Sequence, residues 1–181
     1  DGQPIGEMEA LGYYVIVATA GHDTTSASTA GGLLALMQNP EQMNKLRNDL
    51  SLLPHAIEEM FRWETPVKHF LRTATEDYTL RGRSIKEGDR LMMMYASGNR
   101  DEEVFNNPFE FQVDRRPNKQ IAFGYGVHRC LGHLLAKMEM SAFYKALLER
   151  TTDIQLNGDP AWIHATFVSG LKRLPVRFIA R

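Results

Sequence analysis

The pattern of apolar and polar positions divides the chain into three parts. From about Glu7 to Met37 the sequence is rich in Ala, Leu and Met, and it predicts one long helix. Asn39-Pro40 reads as the start of a second helix, with Asn39 as N-cap and Pro40 at the first helical position. Ser51 is expected to cap a third, in which Leu52, Leu53, Ile57, Met60 and Phe61 recur at helical spacing. The middle third reads as short strands: Val67 to Ala74, a hairpin of Tyr78-Thr79-Leu80 and Ser84-Ile85 around Arg81-Gly82, and Arg90 to Tyr95. Asn106 to Asn118 has no periodicity and predicts an irregular loop. Helical spacing returns from Leu131 to about Arg150, with Leu134, Leu135, Met138, Phe143 and Leu147 expected along one side. The last thirty or so residues read as short strands with turns near Asn157-Gly158 and Ser169-Gly170. The expected fold is mostly α with small β-sheets, an α+β arrangement without internal repeats.

Composition narrows the class. A chain of 181 residues can bury one real core. Its 43% hydrophobic and 24% charged residues fit a globular protein. A net charge of -1 gives no global attraction to nucleic acid or to an acidic membrane. The most apolar stretch, Leu11 to Ala20, is too short to span a bilayer and reads as a buried helix. No signal peptide is visible, and the opening Asp1-Gly2-Gln3-Pro4 reads as the interior of a longer protein. We therefore expect residues 1–181 to be one part of a larger domain.

The single cysteine excludes an intramolecular disulfide and a four-cysteine zinc site. Cys130 sits in the run Phe123-Gly124-Tyr125-Gly126-Val127-His128-Arg129-Cys130-Leu131-Gly132, just before the last predicted helix. A helix N-terminus offers free amide donors and positive potential, which favour S⁻ over SH. Gly126 and Gly132 allow the backbone to approach a large flat ligand, and His128 can donate to an anionic group at its edge. On composition alone the same run reads first as a glycine-rich turn around a core cysteine. Inside the first helix, Ala20-Gly21-His22-Asp23-Thr24-Thr25 combines poor interior helix formers. Thr24 can bond back to a carbonyl and open a notch there, or the run can be a surface turn or a helix end. Glu59 and Arg62 stand at i,i+3, which ordinarily makes a solvated pair. Arg72 lies in an extended run, and an exposed strand arginine is the ordinary reading.

The spacing of these signals resembles the cytochrome P-450 superfamily. The run from Phe123 to Gly132 is similar to its haem-binding loop, F-x-x-G-x-x-x-C-x-G, with a basic residue two before the cysteine. Gly21 to Thr24 resembles its oxygen-activation motif A-G-x-[D/E]-T, and Glu59-x-x-Arg62 its E-x-x-R motif. These signals fall in the family's order over nearly the whole chain, which is similar to soluble bacterial members and to terpene hydroxylases of the α-terpineol type. The resemblance implies the C-terminal portion of the family's fold, from the long oxygen-activation helix to the end.

It implies further that haem b (iron protoporphyrin IX) is the cofactor and Cys130 the axial iron ligand. His128 and Arg72 then face haem propionates, and Phe123 packs at the proximal face. Gly21 makes room for dioxygen, Thr24 hydrogen-bonds it, and Asp23 relays protons. Arg115 completes a structural triad with Glu59 and Arg62, with Arg116 as the less fitting choice. Val17, Ala18, Val67, Phe70 and Val168 are the expected substrate wall, although each can be plain core. The implied activity is monooxygenation: hydroxylation of a small apolar molecule such as a terpenoid, steroid or fatty acid. Electrons would come from a ferredoxin or flavodoxin-like donor docking near Arg129 and Lys137, in a cytoplasmic protein without nucleic-acid partners or a membrane span. The alternatives are a haem-binding or gas-sensing module, and a fragment without turnover. A cysteine-nucleophile hydrolase is disfavoured, since His128 lies two residues away on a tight loop and no orienting group is evident.

Overall fold

The computed structural model describes residues 2–181. The first helix, α1, runs without interruption over Glu7–Gln38, so Gly21, Asp23 and Thr24 open no break in it. Its 32 residues make a rod of about 48 Å. The core reaches only its C-terminal part, where Ala27, Ser28 and Gly31 to Leu36 are buried. Leu11 to Ala20, expected to be buried, is exposed throughout, because no described element packs against that end of the rod.

Two expected caps are replaced. Helix α2 spans Pro40–Asn48, but Asn39 makes no side-chain cap to it. The Asn39 amide instead donates from Nδ2 to the Ala35 carbonyl at 2.8 Å, closing the end of α1. Ser51 caps nothing: Leu50–Leu52 is a single 3-10 turn, and Asp49 caps it by accepting from the Ser51 amide. Helix α3 then spans Leu53–Glu64 with Pro54 in its first turn, where a missing N–H costs no helical bond.

The extended middle forms two antiparallel pairs, β1 (His69–Thr73) with β4 (Arg90–Met94), and β2 (Tyr78–Leu80) with β3 (Arg83–Ile85). Arg81 and Gly82 both take positive φ, 46° and 75°, the backbone sign a two-residue hairpin with the sheet's twist requires. Tyr95 does not extend β4 but opens a short helix, α4 (Tyr95–Gly98). After a long irregular stretch comes α5 (His133–Arg150), followed by β5 (Thr151–Leu156), β6 (Ala161–Trp162), β7 (Leu171–Arg173) and β8 (Val176–Ala180). β5 pairs with β8 and β6 with β7, again antiparallel.

The core lies where α1, α3 and α5 meet. Leu36, Leu46, Ile57, Met60, Met140 and Tyr144 are its most completely buried apolar side chains. The buried stripe of α5 is Ala136, Met140, Tyr144 and Leu148, which keeps a spacing of four. Leu134, Leu135, Met138 and Phe143, expected on the inner side, are exposed, and only Leu147 packs against the core. Periodicity found the helix but not its face, because apolar residues are spread around α5 among His133, Lys137, Glu139, Lys145, Glu149 and Arg150 without a single stripe.

One buried charge is poorly served. Glu64, at the end of α3, is 7% exposed, and its Oε1 has no hydrogen-bond partner among the described residues. Its carboxylate lies against Gly31, where a methyl group would collide with Oε2. Burial pushes its carboxyl up, and Lys68 and Arg100 only partly oppose this. A carboxyl raised on folding contributes stability that is complete below the ordinary glutamate range and lost as pH rises through the raised value. Glu64→Gln therefore gains urea resistance relative to the parent at about pH 7, and the advantage shrinks at about pH 4. An equal difference at both values in urea titrations would show that burial of the charge is not the cause.

Candidate functional site

The loop from Phe123 to Gly132 is built by two glycines and one backbone closure. Gly124 and Gly126 take φ of 70° and 72°, conformations that a side chain would strain. Between them and Cys130 the chain makes a 3-10 turn at Gly126–His128. The Cys130 amide then donates to the Phe123 carbonyl at 2.9 Å and closes the loop. Cys130 itself is exposed, as is His128. Helix α5 begins at His133, three residues after the cysteine and not directly behind it. The His133 ring reaches back, with Nδ1 2.8 Å from the Cys130 carbonyl.

Phe123 is held on three sides. The Phe61 ring centroid lies 4.4 Å away, the His133 ring 6.0 Å, and the Lys137 ammonium sits 5.4 Å over its face. Lys137 also forms an ion pair with Glu58. His133 and Tyr95 escaped the sequence reading. The Tyr95 hydroxyl packs 3.4 Å from the position of a methyl on Gly124, and nothing in local spacing announces a contact across 29 residues. His133 was within reach of inspection, since a polar ring one turn behind the cysteine can turn back onto the loop.

On α1, the Thr24 hydroxyl donates to the Ala20 carbonyl at 2.9 Å, while the Thr24 carbonyl accepts from Ser28 Oγ. Asp23 is exposed and lies 2.8 Å from His22 Nδ1. A side chain at Gly21, Gly126 or Gly132 would meet no atom within 4 Å, so all three border open space. A groove of about 500 Å³ runs along His22, Thr25, Thr29 and Leu33 of α1, opposite Glu139 and Phe143 of α5. It contains neither Thr24 nor Cys130 and is not the site of the cysteine chemistry.

The expected apolar wall is only partly assembled. Val67 and Val168 form a β-bridge, and Phe70 stacks edge-on against Phe167 at 5.3 Å and lies 6.1 Å from Tyr95. Gly170 packs on Ala27, joining this wall to α1. Val17 and Ala18 are exposed on the free end of α1 and are not brought to it. Arg72 is exposed and, among the described residues, bonded only to the Leu71 carbonyl.

Behind the loop lies a buried charge cluster, contrary to the ordinary solvated reading of an i,i+3 pair. Glu59 and Arg62 are both 0% exposed, joined by two bonds of 2.7 and 2.8 Å. Arg115 Nε approaches the same carboxylate at 3.0 Å, and Gln112 N and Asn118 Nδ2 donate to it as well. Arg116 makes no such contact. Arg62 spends its remaining donors on the carbonyls of Asn99, Pro108 and Glu110, and Arg115 on those of Asn106, Asn107 and Glu110. Asn99 and Arg100 extend the cluster: Asn99 bridges Thr65 and the Ile121 amide, and Arg100 binds the carbonyls of Arg62 and Trp63. Burial, reinforced by repulsion from Arg62, lowers the Arg100 guanidinium to about 10. Removing one partner of a buried pair strands the other, so Glu59→Gln should cost about 3–5 kcal/mol by equilibrium unfolding. A loss below about 1 kcal/mol would place the pair among ordinary surface bridges.

Comparison with known proteins agrees with this geometry. Residues 7–160 match the family model described as Cytochrome P450. The chain is 48% identical over 178 residues to Cytochrome P450-terp of a Pseudomonas species, covering 98% of this chain and 42% of that protein. It is 39% identical over 181 residues to the steroid C26-monooxygenase of Mycobacterium tuberculosis, covering 98% of this chain and 49% of that one. Among solved structures, CYP108D1 of Novosphingobium aromaticivorans superposes with a TM-score of 0.93 at 45% identity, over all of this chain and 44% of that chain. The chain thus spans less than half the length of these relatives.

Proposed function

Because the chain belongs to the cytochrome P450 family, we propose that it is the C-terminal, haem-binding part of a haem-thiolate monooxygenase that hydroxylates a small apolar substrate. The observation that carries this reading is the exposed Cys130 on a loop made rigid by Phe123 and two left-handed glycines.

The residues present fit haem b. A thiolate sulfur such as that of Cys130 is a donor that would hold a haem iron. Gly21, Gly126 and Gly132 leave their surroundings open, as a flat macrocycle requires. Arg72 and His128 are exposed and, among the described residues, paired with no carboxylate, and they suit the propionates. When bound, the haem supplies the oxygen activation and the hydrogen abstraction that no side chain can perform.

The chain's own residues bind, orient and move protons. Cys130 would hold the iron through Sγ, with its backbone fixed from both sides by Phe123 and His133. Thr24 would keep its hydroxyl proton on the Ala20 carbonyl and present its lone pairs to the oxygen site. Asp23, exposed beside it, would pass protons inward from solvent. Phe70, Phe167, Val67 and Val168 would exclude water and orient the substrate through apolar contact. A steroid oxygenase among the relatives supports a lipid-like or terpenoid substrate. Electrons would come from a ferredoxin or flavodoxin-like protein, and the setting would be cytoplasmic. No helix of the described residues is long and apolar enough to cross a membrane.

With isotopically labelled dioxygen and a reconstituted electron donor, the protein at its natural length should turn an apolar terpenoid or steroid into an alcohol carrying one labelled oxygen. Asp23→Asn should slow product formation by about 10²-fold, and Thr24→Ala should divert reducing equivalents to hydrogen peroxide. Product without label, or an Asp23→Asn rate equal to the parent, would contradict these roles.

A further inference from the structure

The proximal side of the Cys130 loop holds an arrangement that ligand binding and proton delivery leave unused. Lys137 lies one helical turn beyond His133 on α5, and its ammonium sits 5.4 Å from the centroid of Phe123. Phe123 and Cys130 are joined through the loop's closing hydrogen bond of 2.9 Å. The cation is thus seated over the ring that backs the sulfur-bearing residue. It is anchored there by its ion pair with Glu58, which also accepts from Gln120 Nε2 at 2.9 Å. Lys137 is 23% and Glu58 28% exposed at the side chain, so water screens the pair only in part. An ammonium over an aromatic face is attracted by the ring quadrupole, which fixes both groups.

We propose that Lys137 is a positioning residue that fixes Phe123 and, through its charge, raises the reduction potential of the metal centre held by Cys130, while Glu58 moderates that charge. The proposal rests on the haem-thiolate reading above. A positive charge near a redox centre stabilises the state carrying the extra electron, and a negative charge opposes it. The two partners therefore act with opposite signs. Lys137→Gln removes the cation and leaves the carboxylate, lowering the potential. Glu58→Gln removes the carboxylate and leaves the cation, raising it. Loss of packing alone has no reason to produce shifts of opposite sign.

The test is spectroelectrochemical titration of the haem-loaded protein at its natural length, for the parent, Lys137→Gln, Lys137→Arg and Glu58→Gln. Opposite shifts for the two glutamine variants, with Lys137→Arg holding the parent value, are the expected result. Shifts of one sign, no shift, or a Lys137→Arg value equal to that of Lys137→Gln would overturn the proposal while thiolate ligation in the parent stands. If Lys137→Gln does not fold, the sign of the Glu58→Gln shift decides. A parent protein without thiolate ligation removes the haem-thiolate reading and this proposal together.

Discussion

The carboxylate of Glu59 is the point on which the rest of the structure depends. It receives both arginines, a backbone amide and an asparagine side chain in a volume closed to water. Arg62 and Arg115 pass the constraint on to five carbonyls of the irregular stretch, at Asn99, Asn106, Asn107, Pro108 and Glu110. That stretch has no ladder or helix of its own, and of these five carbonyls Asn107 alone also accepts from a backbone amide, that of Glu110, so the arginines supply most of their partners. Such a cluster is weak as a source of net stability, since desolvation offsets much of the attraction. Its value is geometric: it gives one shape to a segment that leads directly into the Cys130 loop.

From this frame the functional elements follow in order. Helix α3 carries Glu59 and Arg62 on one side and Phe61 on another, and Phe61 stacks on Phe123 at 4.4 Å. Asn99, tied to Arg62 through its carbonyl, holds the Ile121 amide just ahead of the loop. Tyr95, the first residue of α4, packs on Gly124 and lies beside Phe70, which joins the loop to the apolar wall. The exposed sulfur thus stands on a loop held by packing and a backbone closure, as the residue proposed to hold the haem would need.

Much of this was legible in the sequence. The long α1, the Arg81-Gly82 hairpin, the loop from 106 to 118 and the α+β class came from periodicity and turn chemistry. What failed did so for identifiable reasons. Asn39 and Ser51 are good capping residues, but Asn39 found an acceptor in the helix before it and Asp49 displaced Ser51. The inner face of α5 was misread because its apolar residues occupy every side, leaving no stripe to distinguish. The burial of Glu59 and Arg62 was not legible from spacing, since i,i+3 is the same for a core pair and a surface pair, and only the family resemblance joined them to Arg115. The ion pair of Lys137 was likewise hidden, because its partner Glu58 lies 79 positions away in sequence.

The central claim is that Cys130 presents its sulfur to a haem iron, and ligation by a thiolate has a distinct optical signature. The most direct measurement is the absorption spectrum of the dithionite-reduced protein under carbon monoxide, alongside that of Cys130→Ala. The account predicts a strongly red-shifted Soret band that the substitution abolishes. A band typical of histidine ligation or of free haem in the parent, or a red-shifted band surviving in Cys130→Ala, would contradict it.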